Sequence, residues 1–152
     1  MIWDYFALQD GAFFEPSSEE ETKIIVDLLA IRRGDRAVDL GSGDGRIVIE
    51  MARRGAYADG IEKDAMLVHE ALGNIETAGL SERAFVYNRN IWHTDLSRYN
   101  KVSIFQYHTV MKRLEEKLMH ELSDGSLVVS HHWTFPNWKP ARQMKDIYLY
   151  IK

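Results

Sequence analysis

Cysteine is absent from this 152-residue chain, which removes disulfide scaffolds, thiolate zinc sites, thiol nucleophiles and iron–sulfur clusters together. Proline occurs only at positions 16, 136 and 140, so no proline-rich linker marks a domain boundary. No uninterrupted apolar stretch approaches the roughly 20 residues of a membrane span. Positive charge is not in excess either: 19 Lys and Arg stand against 23 Asp and Glu, a net charge of −4. That balance argues against affinity drawn from a basic nucleic-acid surface. Asp4 and Asp10 precede the first basic residue, Lys23, a pattern unlike a signal or transit peptide. A soluble, cytoplasmic protein is the expectation.

What is present suffices for a core, with 45% hydrophobic and 11% aromatic residues, and no internal repeat appears. One domain over residues 1–152 is expected, with residues 1–16 as an N-terminal segment. Ser17 or Ser18, followed three residues on by Glu20 or Glu21, is a capping-box pattern, and Ile24, Ile25, Leu28 and Leu29 then recur at helical spacing. The spacing predicts a helix over residues 18–32, stopped near Gly34. Residues 36–40 read as a buried strand running into Gly41-Ser42-Gly43-Asp44-Gly45. Ile47, Val48, Met51 and Ala52 restart a helix that Gly55 ends. Residues 56–61 form a second strand, and Asp64 caps a third helix closing at Gly79. Strands follow near 84–87 and 102–107, then a helix carrying Val110, Leu114, Leu118 and Leu122, and a strand over 126–131. The alternation indicates an α/β fold, a mostly parallel sheet with helices on both faces. Residues 147–151 form a strand with no helix before it and should enter antiparallel.

In such a sheet the ligand sits beyond the carboxyl ends of the strands, where the first strand-to-helix loop lies. Here that loop is Asp39-Leu40-Gly41-Ser42-Gly43-Asp44-Gly45-Arg46, with Glu62 ending the second strand. A dinucleotide and S-adenosylmethionine both fit this frame. A pyrophosphate wants bare backbone N–H groups, whereas Asp39 and Asp44 would set carboxylates beside it. S-adenosylmethionine has no phosphate, and its ammonium and sulfonium suit acids. Gly41 and Gly43 allow close approach, and Glu62 can accept from both ribose hydroxyls.

The glycine loop with Gly60-Ile61-Glu62 resembles the cofactor motifs of Rossmann-like class I S-adenosylmethionine-dependent methyltransferases. More narrowly, residues 14–140 resemble the small archaeal broad-specificity protein lysine methyltransferases, relatives of the mitochondrial enzyme that methylates the adenine nucleotide translocase. The matching features are Pro16-Ser17, the run from Val38 to Ile47, Ala71-Leu72-Gly73-Asn74-Ile75-Glu76, Asn90, and Val128-Val129-Ser130-His131 followed by Trp138-Lys139-Pro140. This resemblance implies that Asp39, Gly41 and Gly43 hold the methionine part, Glu62 the ribose and Asn90 the adenine end; Ser42, Asp44 and Ile91 are expected among the cofactor-binding residues beside them. It also places His131 at the mouth of the site. Three positions depart from the relatives' pattern: Phe14 replaces a tyrosine, Arg89 a small residue and Thr109 an asparagine. The C-terminus is shorter by several residues, so one of the last two strands is expected to be missing or abbreviated.

Enzymes that methylate planar amides or nucleobase amines typically carry an Asn/Asp-Pro-Pro-aromatic run after the fourth strand. This chain reads Phe105-Gln106-Tyr107-His108-Thr109 there. A lysine amine needs a narrow apolar channel that lowers its pKa by desolvation and aligns it with the methyl. Phe14, Trp92, Tyr107, Trp133 and Phe135 are the aromatic candidates for that channel. Phe14, Tyr107, His131 and Trp133 are the residues expected around the reacting amine, His131 orienting substrate or assisting deprotonation. No metal site is expected, because His131 and His132 should point to opposite faces of a strand and no other histidine has ligand spacing. Glu19-Glu20-Glu21 reads as a solvated first helical turn, and Arg32-Arg33 and Arg53-Arg54 as cations at helix C-termini. The expected function is methyl transfer from S-adenosylmethionine to protein lysines, without a stable nucleic-acid partner or membrane contact. The alternatives are a small-molecule or RNA methyltransferase, or a catalytically weak cofactor-binding domain.

Overall fold

The computed structural model describes residues 16–152, so Phe14 lies outside the described residues. The elements in chain order are α1 (Glu19–Leu28), β1 (Arg36–Leu40), α2 (Arg46–Arg53), β2 (Tyr57–Glu62), α3 (Ala65–Thr77), β3 (Ala84–Asn88), β4 (Lys101–Ile104), α4 (Met111–Glu121), β5 (Leu127–His131), β6 (Arg142–Met144) and β7 (Ile147–Ile151). The strands form one seven-stranded sheet in the order β3-β2-β1-β4-β5-β7-β6. β1 to β5 pair in parallel, and β7 joins β5 antiparallel with His131 opposite Ile147. The expected doubly covered α/β sheet is therefore observed, and the abbreviated strand is β6, three residues long.

The two sheet faces bury different sets. α1, α2 and α3 cover one face through Ile25, Leu29, Val48, Met51, Ala71 and Ile75, which meet Ala37, Ala58 and Val129. α4 covers the other through Met111, Leu114 and Leu118 against Val38, Leu40, Val102 and Val128. The two-residue alternation of strands then dictates what faces α1 to α3 at the carboxyl ends: Asp39, which shares the face of Ala37, Ser103 directly opposite it in β4, Glu62 on β2, and His131 on β5.

α1 begins as expected, with Ser18 and Glu21 forming a reciprocal capping box. It ends earlier than the apolar spacing indicates, because Ala30 turns into left-handed backbone at φ 49°. Arg32 and Arg33 therefore lie beyond the helix rather than in its last turn. The cause is tertiary: the buried Lys101 of β4 donates from Nζ to the carbonyls of Leu29 at 2.6 Å and Ala30 at 3.2 Å, and sits 3.6 Å from Asp35. A cation satisfying the last carbonyls of a helix serves as its cap. Lys101→Met is expected to lower stability by about 2 kcal/mol, since charge-assisted bonds are lost and carbonyls orphaned. Urea unfolding would measure this, and an unchanged midpoint would reject the clamp.

Candidate active site

The glycine loop leaves β1 and doubles back against β2, where the Gly41 and Ser42 amides donate to the Ile61 carbonyl at 2.9 and 3.1 Å. This approach is possible only because β2 carries Gly60: a Cβ there would stand 2.4 Å from Ser42 Oγ. Gly41, at φ +82°, faces Gln106 so closely that a Cβ would meet Gln106 Nε2 at 2.6 Å. Gln106 Nε2 also donates to the Leu40 carbonyl at 3.1 Å, tying the end of β1 to the segment after β4. Asn74 of α3 holds the far side of the loop by donating to the Asp44 carbonyl at 3.0 Å. That bond supplies a physical reason for asparagine in the Ala71-to-Glu76 motif.

Glu62 organises the strand ends. Its Oε1 accepts from the Gly43 amide at 3.0 Å and its Oε2 from the Asp64 amide at 2.8 Å. Asn88 of β3 clasps the same turn by donating to the carbonyls of Glu62 and Lys63. Beside it lies a cleft of about 260 Å³ that includes Gly41, Glu62, Asn90, Ile91 and Gln106 in its lining. Asn90 caps the short turn Ile91–His93 through its side-chain oxygen, which accepts from the Trp92 amide at 2.9 Å. The cleft thus brings together Gly41, Glu62, Asn90 and Ile91 of the expected cofactor residues.

The remaining expected residues are deployed differently. Asp39 is fully enclosed beneath the loop, and burial pushes its carboxyl up to about 8 despite a hydrogen bond from Ser103, with the charges of Glu62 and Asp44 adding to the rise. Ser42 is buried against Gly60. Asp44 is not part of the cleft lining. It turns to Arg46, whose Nε donates to it at 3.0 Å and whose Nη2 does so at 2.5 Å. Burial alone would raise Asp44, but the Arg46 hydrogen bonds and charge hold it below the ordinary range. The carboxylate that the sequence suggests for a bound cation is therefore paired within the protein.

The aromatic candidates also separate. Tyr107 and Trp133 come together, with ring centroids 5.9 Å apart and the His108 ring lying 5.0 Å from one and 4.8 Å from the other. Phe135 does not join them: it is buried between Trp138 and Tyr150, which removes it from any channel. Trp92 lines the same cleft and carries the Arg113 guanidinium 4.0 Å above its ring. His131 is buried with both ring nitrogens engaged, Nδ1 by Ser17 Oγ at 3.1 Å and Nε2 by Glu21 at 2.7 Å. The imidazole thus ties the start of α1 to the end of β5. Sequence reading missed Gln106, Lys63 and Arg113 in the cleft. The proximity of residue 106 to the fourth strand's carboxyl end was the available signal for Gln106, whereas Arg113 projects from a helix and had none. Of the departures, Arg89 lines the cleft with its guanidinium 4.5 Å above Tyr87, and Thr109 is exposed.

Comparison with known proteins agrees with this architecture. A protein lysine N-methyltransferase of Saccharolobus islandicus is 32% identical over 148 residues, covering 91% of this chain and 92% of its own. The mouse adenine nucleotide translocase lysine N-methyltransferase is 36% identical over 126 residues, 82% of this chain but 55% of its own. The chain spans about half the length of the mammalian relatives it matches. A crystal structure described as an RNA methyltransferase from Salinibacter ruber, bound to S-adenosyl-L-homocysteine, superposes with a TM-score of 0.88 at 31% identity over 90% of this chain and 93% of that one. The family profile described as the ANTKMT methyltransferase domain matches residues 39–142, from the enclosed aspartate of β1 to the first residue of β6. With the glycine loop, the Glu62 anchor and strands β2 to β5 all inside that span, the chain belongs to the ANTKMT methyltransferase domain family.

Proposed function

We propose that the chain is an S-adenosylmethionine-dependent methyltransferase whose acceptors are lysine side chains of proteins. The observation carrying this reading is the adjacency of two features. The cleft lined by Gly41, Glu62 and Asn90 reaches Gln106, and the next residue, Tyr107, begins the aromatic group with His108 and Trp133. The cleft residues fit the cofactor. Gly41 presents backbone without a side chain where a Cβ would strike Gln106, and Glu62, held by two amides, keeps lone pairs for ribose hydroxyls. Asn90 and Ile91 bound the end suited to adenine.

When bound, S-adenosylmethionine supplies an electrophilic methyl on a sulfonium. The chain's own part is positional. Tyr107 and Trp133 would line the approach of the acceptor, favour a cation through their faces on arrival, and desolvate the amine so that it loses its proton before attack. His131, pinned by Ser17 and Glu21, would set the base of that approach with its ring centroid 4.4 Å from that of Phe105. The N-terminal segment expected from sequence to cover the site, residues 1–16, lies outside the described residues except for Pro16.

A second reading rests on the Salinibacter neighbour, described as an RNA methyltransferase. Incubating the purified chain with methyl-labelled cofactor and whole lysate distinguishes the two. Label in protein lysines, identified by mass spectrometry, is the expected result; label confined to RNA would replace the protein reading. Trp133→Ala is expected to raise KM for a protein acceptor by about tenfold with cofactor affinity unchanged. Steady-state kinetics and calorimetry would separate those two effects.

A further inference from the structure

We propose that Glu21, His131 and Asp146, none of which lines the cleft of Gly41, Glu62 and Asn90, form a binding site for one zinc ion. The three residues come from α1, the end of β5 and the turn between β6 and β7. Their ligand atoms lie within 4.8 Å of one another. His131 Nε2 stands 2.7 Å from Glu21 Oε2 and 3.7 Å from Asp146 Oδ2. An ion with zinc's bond lengths of roughly 2.0–2.2 Å in tetrahedral geometry spaces its ligand atoms by about 3.3 Å, and the two observed separations bracket that value. Zinc accepts this mixture of imidazole and carboxylate, and open positions can be completed by water.

Two further features favour a cation there. A single N–H on Nε2 can serve one carboxylate well, yet two converge on it. The buried imidazole is also oriented from behind, because Ser17 Oγ lies 3.1 Å from Nδ1. That is the outer hydrogen bond metal-binding histidines use to fix their tautomer. With zinc on Nε2 the imidazole proton would reside on Nδ1 and donate to Ser17 Oγ, 3.1 Å away, so a rotation of one hydroxyl would accommodate the ion. The side chains of Glu21 and Asp146 are 33% and 44% exposed, leaving a path for entry. Among the described residues, His132 Nδ1 also stands 3.1 Å from Asp146 Oδ2, and Lys145 pairs with Glu20 at 2.8 Å. An ion here would clasp α1 to the hairpin of β6 and β7, whose outer strand is only three residues long.

The test uses the full chain stripped of metal. Calorimetric titration with Zn²⁺ should give one saturable equivalent and a concentration-dependent rise in Tm, with Mg²⁺ producing neither. Glu21→Gln and Asp146→Asn should each weaken zinc binding by at least about tenfold, and Ser17→Ala by about tenfold through the lost outer bond. His120→Ala, at an exposed position on α4, should change nothing. Glu21 also closes the α1 capping box, so Asp146→Asn, in a surface turn, keeps the test valid if the Glu21 variant folds poorly. Absence of saturable binding, or binding unmoved by Asp146→Asn, overturns the site. The readout is metal binding, so failure here leaves the methyl-transfer reading untouched.

Discussion

Asp39→Asn is expected to stabilise the cofactor-free protein at alkaline pH, the largest stability change anticipated for any single replacement. Asp39 is 3% exposed and its carboxyl is pushed up to about 8, first by burial, then by the nearby charges of Glu62 and Asp44, against the hydrogen bond from Ser103. A carboxyl whose folded pKa exceeds its unfolded value holds its proton more tightly in the folded state. Its contribution is complete below about pH 4 and is lost as pH rises toward 8. Stability of the native sequence should therefore fall across that window. Asparagine keeps the shape and removes the ionisation, so the gain should be near zero at pH 4 and on the order of 2–5 kcal/mol at pH 8. Urea unfolding at a series of pH values measures it, and a difference that does not vary with pH would refute the assignment. A second readout follows from the proposed function. Binding of a ligand that carries an ammonium and a sulfonium should favour the ionised carboxylate and release up to one proton near pH 7. Calorimetry in buffers of different ionisation enthalpy detects that release, whereas uncharged adenosine should produce none.

Glu62→Ala should have the largest effect on cofactor binding. The carboxylate, 9% exposed, accepts from the amides of Gly43 and Asp64. Its loss orphans two backbone donors at about 1–3 kcal/mol each and removes the proposed ribose acceptor. The glycine loop is then no longer held to β2 from Gly43. Affinity for S-adenosylhomocysteine should fall by about a hundredfold or more. Glu62→Gln retains one acceptor oxygen and should lose less, because that oxygen can serve only one of the two amides well. Calorimetry on both variants orders the effects, and an alanine variant that binds like the native chain would remove Glu62 from the site. Measuring unfolding in parallel separates loop loosening from the loss of a ribose contact.

Much of the fold was legible because its signals are local. The capping box of Ser18 and Glu21, the Asp64 cap, the buried strand over residues 36–40, and the antiparallel entry of Ile147–Ile151 each follow from residues adjacent in sequence. The early end of α1 was not, because the side chain that terminates it, Lys101, lies 72 residues from Leu29. The site divides in the same way. Gly41, Glu62, Asn90 and Ile91 reach the cleft because a strand-to-helix turn and two strand ends carry them there. Asp44 and Phe135 do not join that cleft: Asp44 pairs with Arg46, and Phe135 packs against Trp138 and Tyr150.

By itself, then, the order of residues determined the alternating α/β architecture, the place of the glycine loop and the family resemblance, because periodicity, caps and glycine positions act over a few residues. Only the tertiary structure decided that Asp44 pairs with Arg46 while Glu62 lines the cleft, that Tyr107 and Trp133 come together while Phe135 fills the core, and that Glu21 and Asp146 converge on His131. Those outcomes depend on which strand lies beside which and on competition among partners for each polar atom. No spacing along a single segment carries that information.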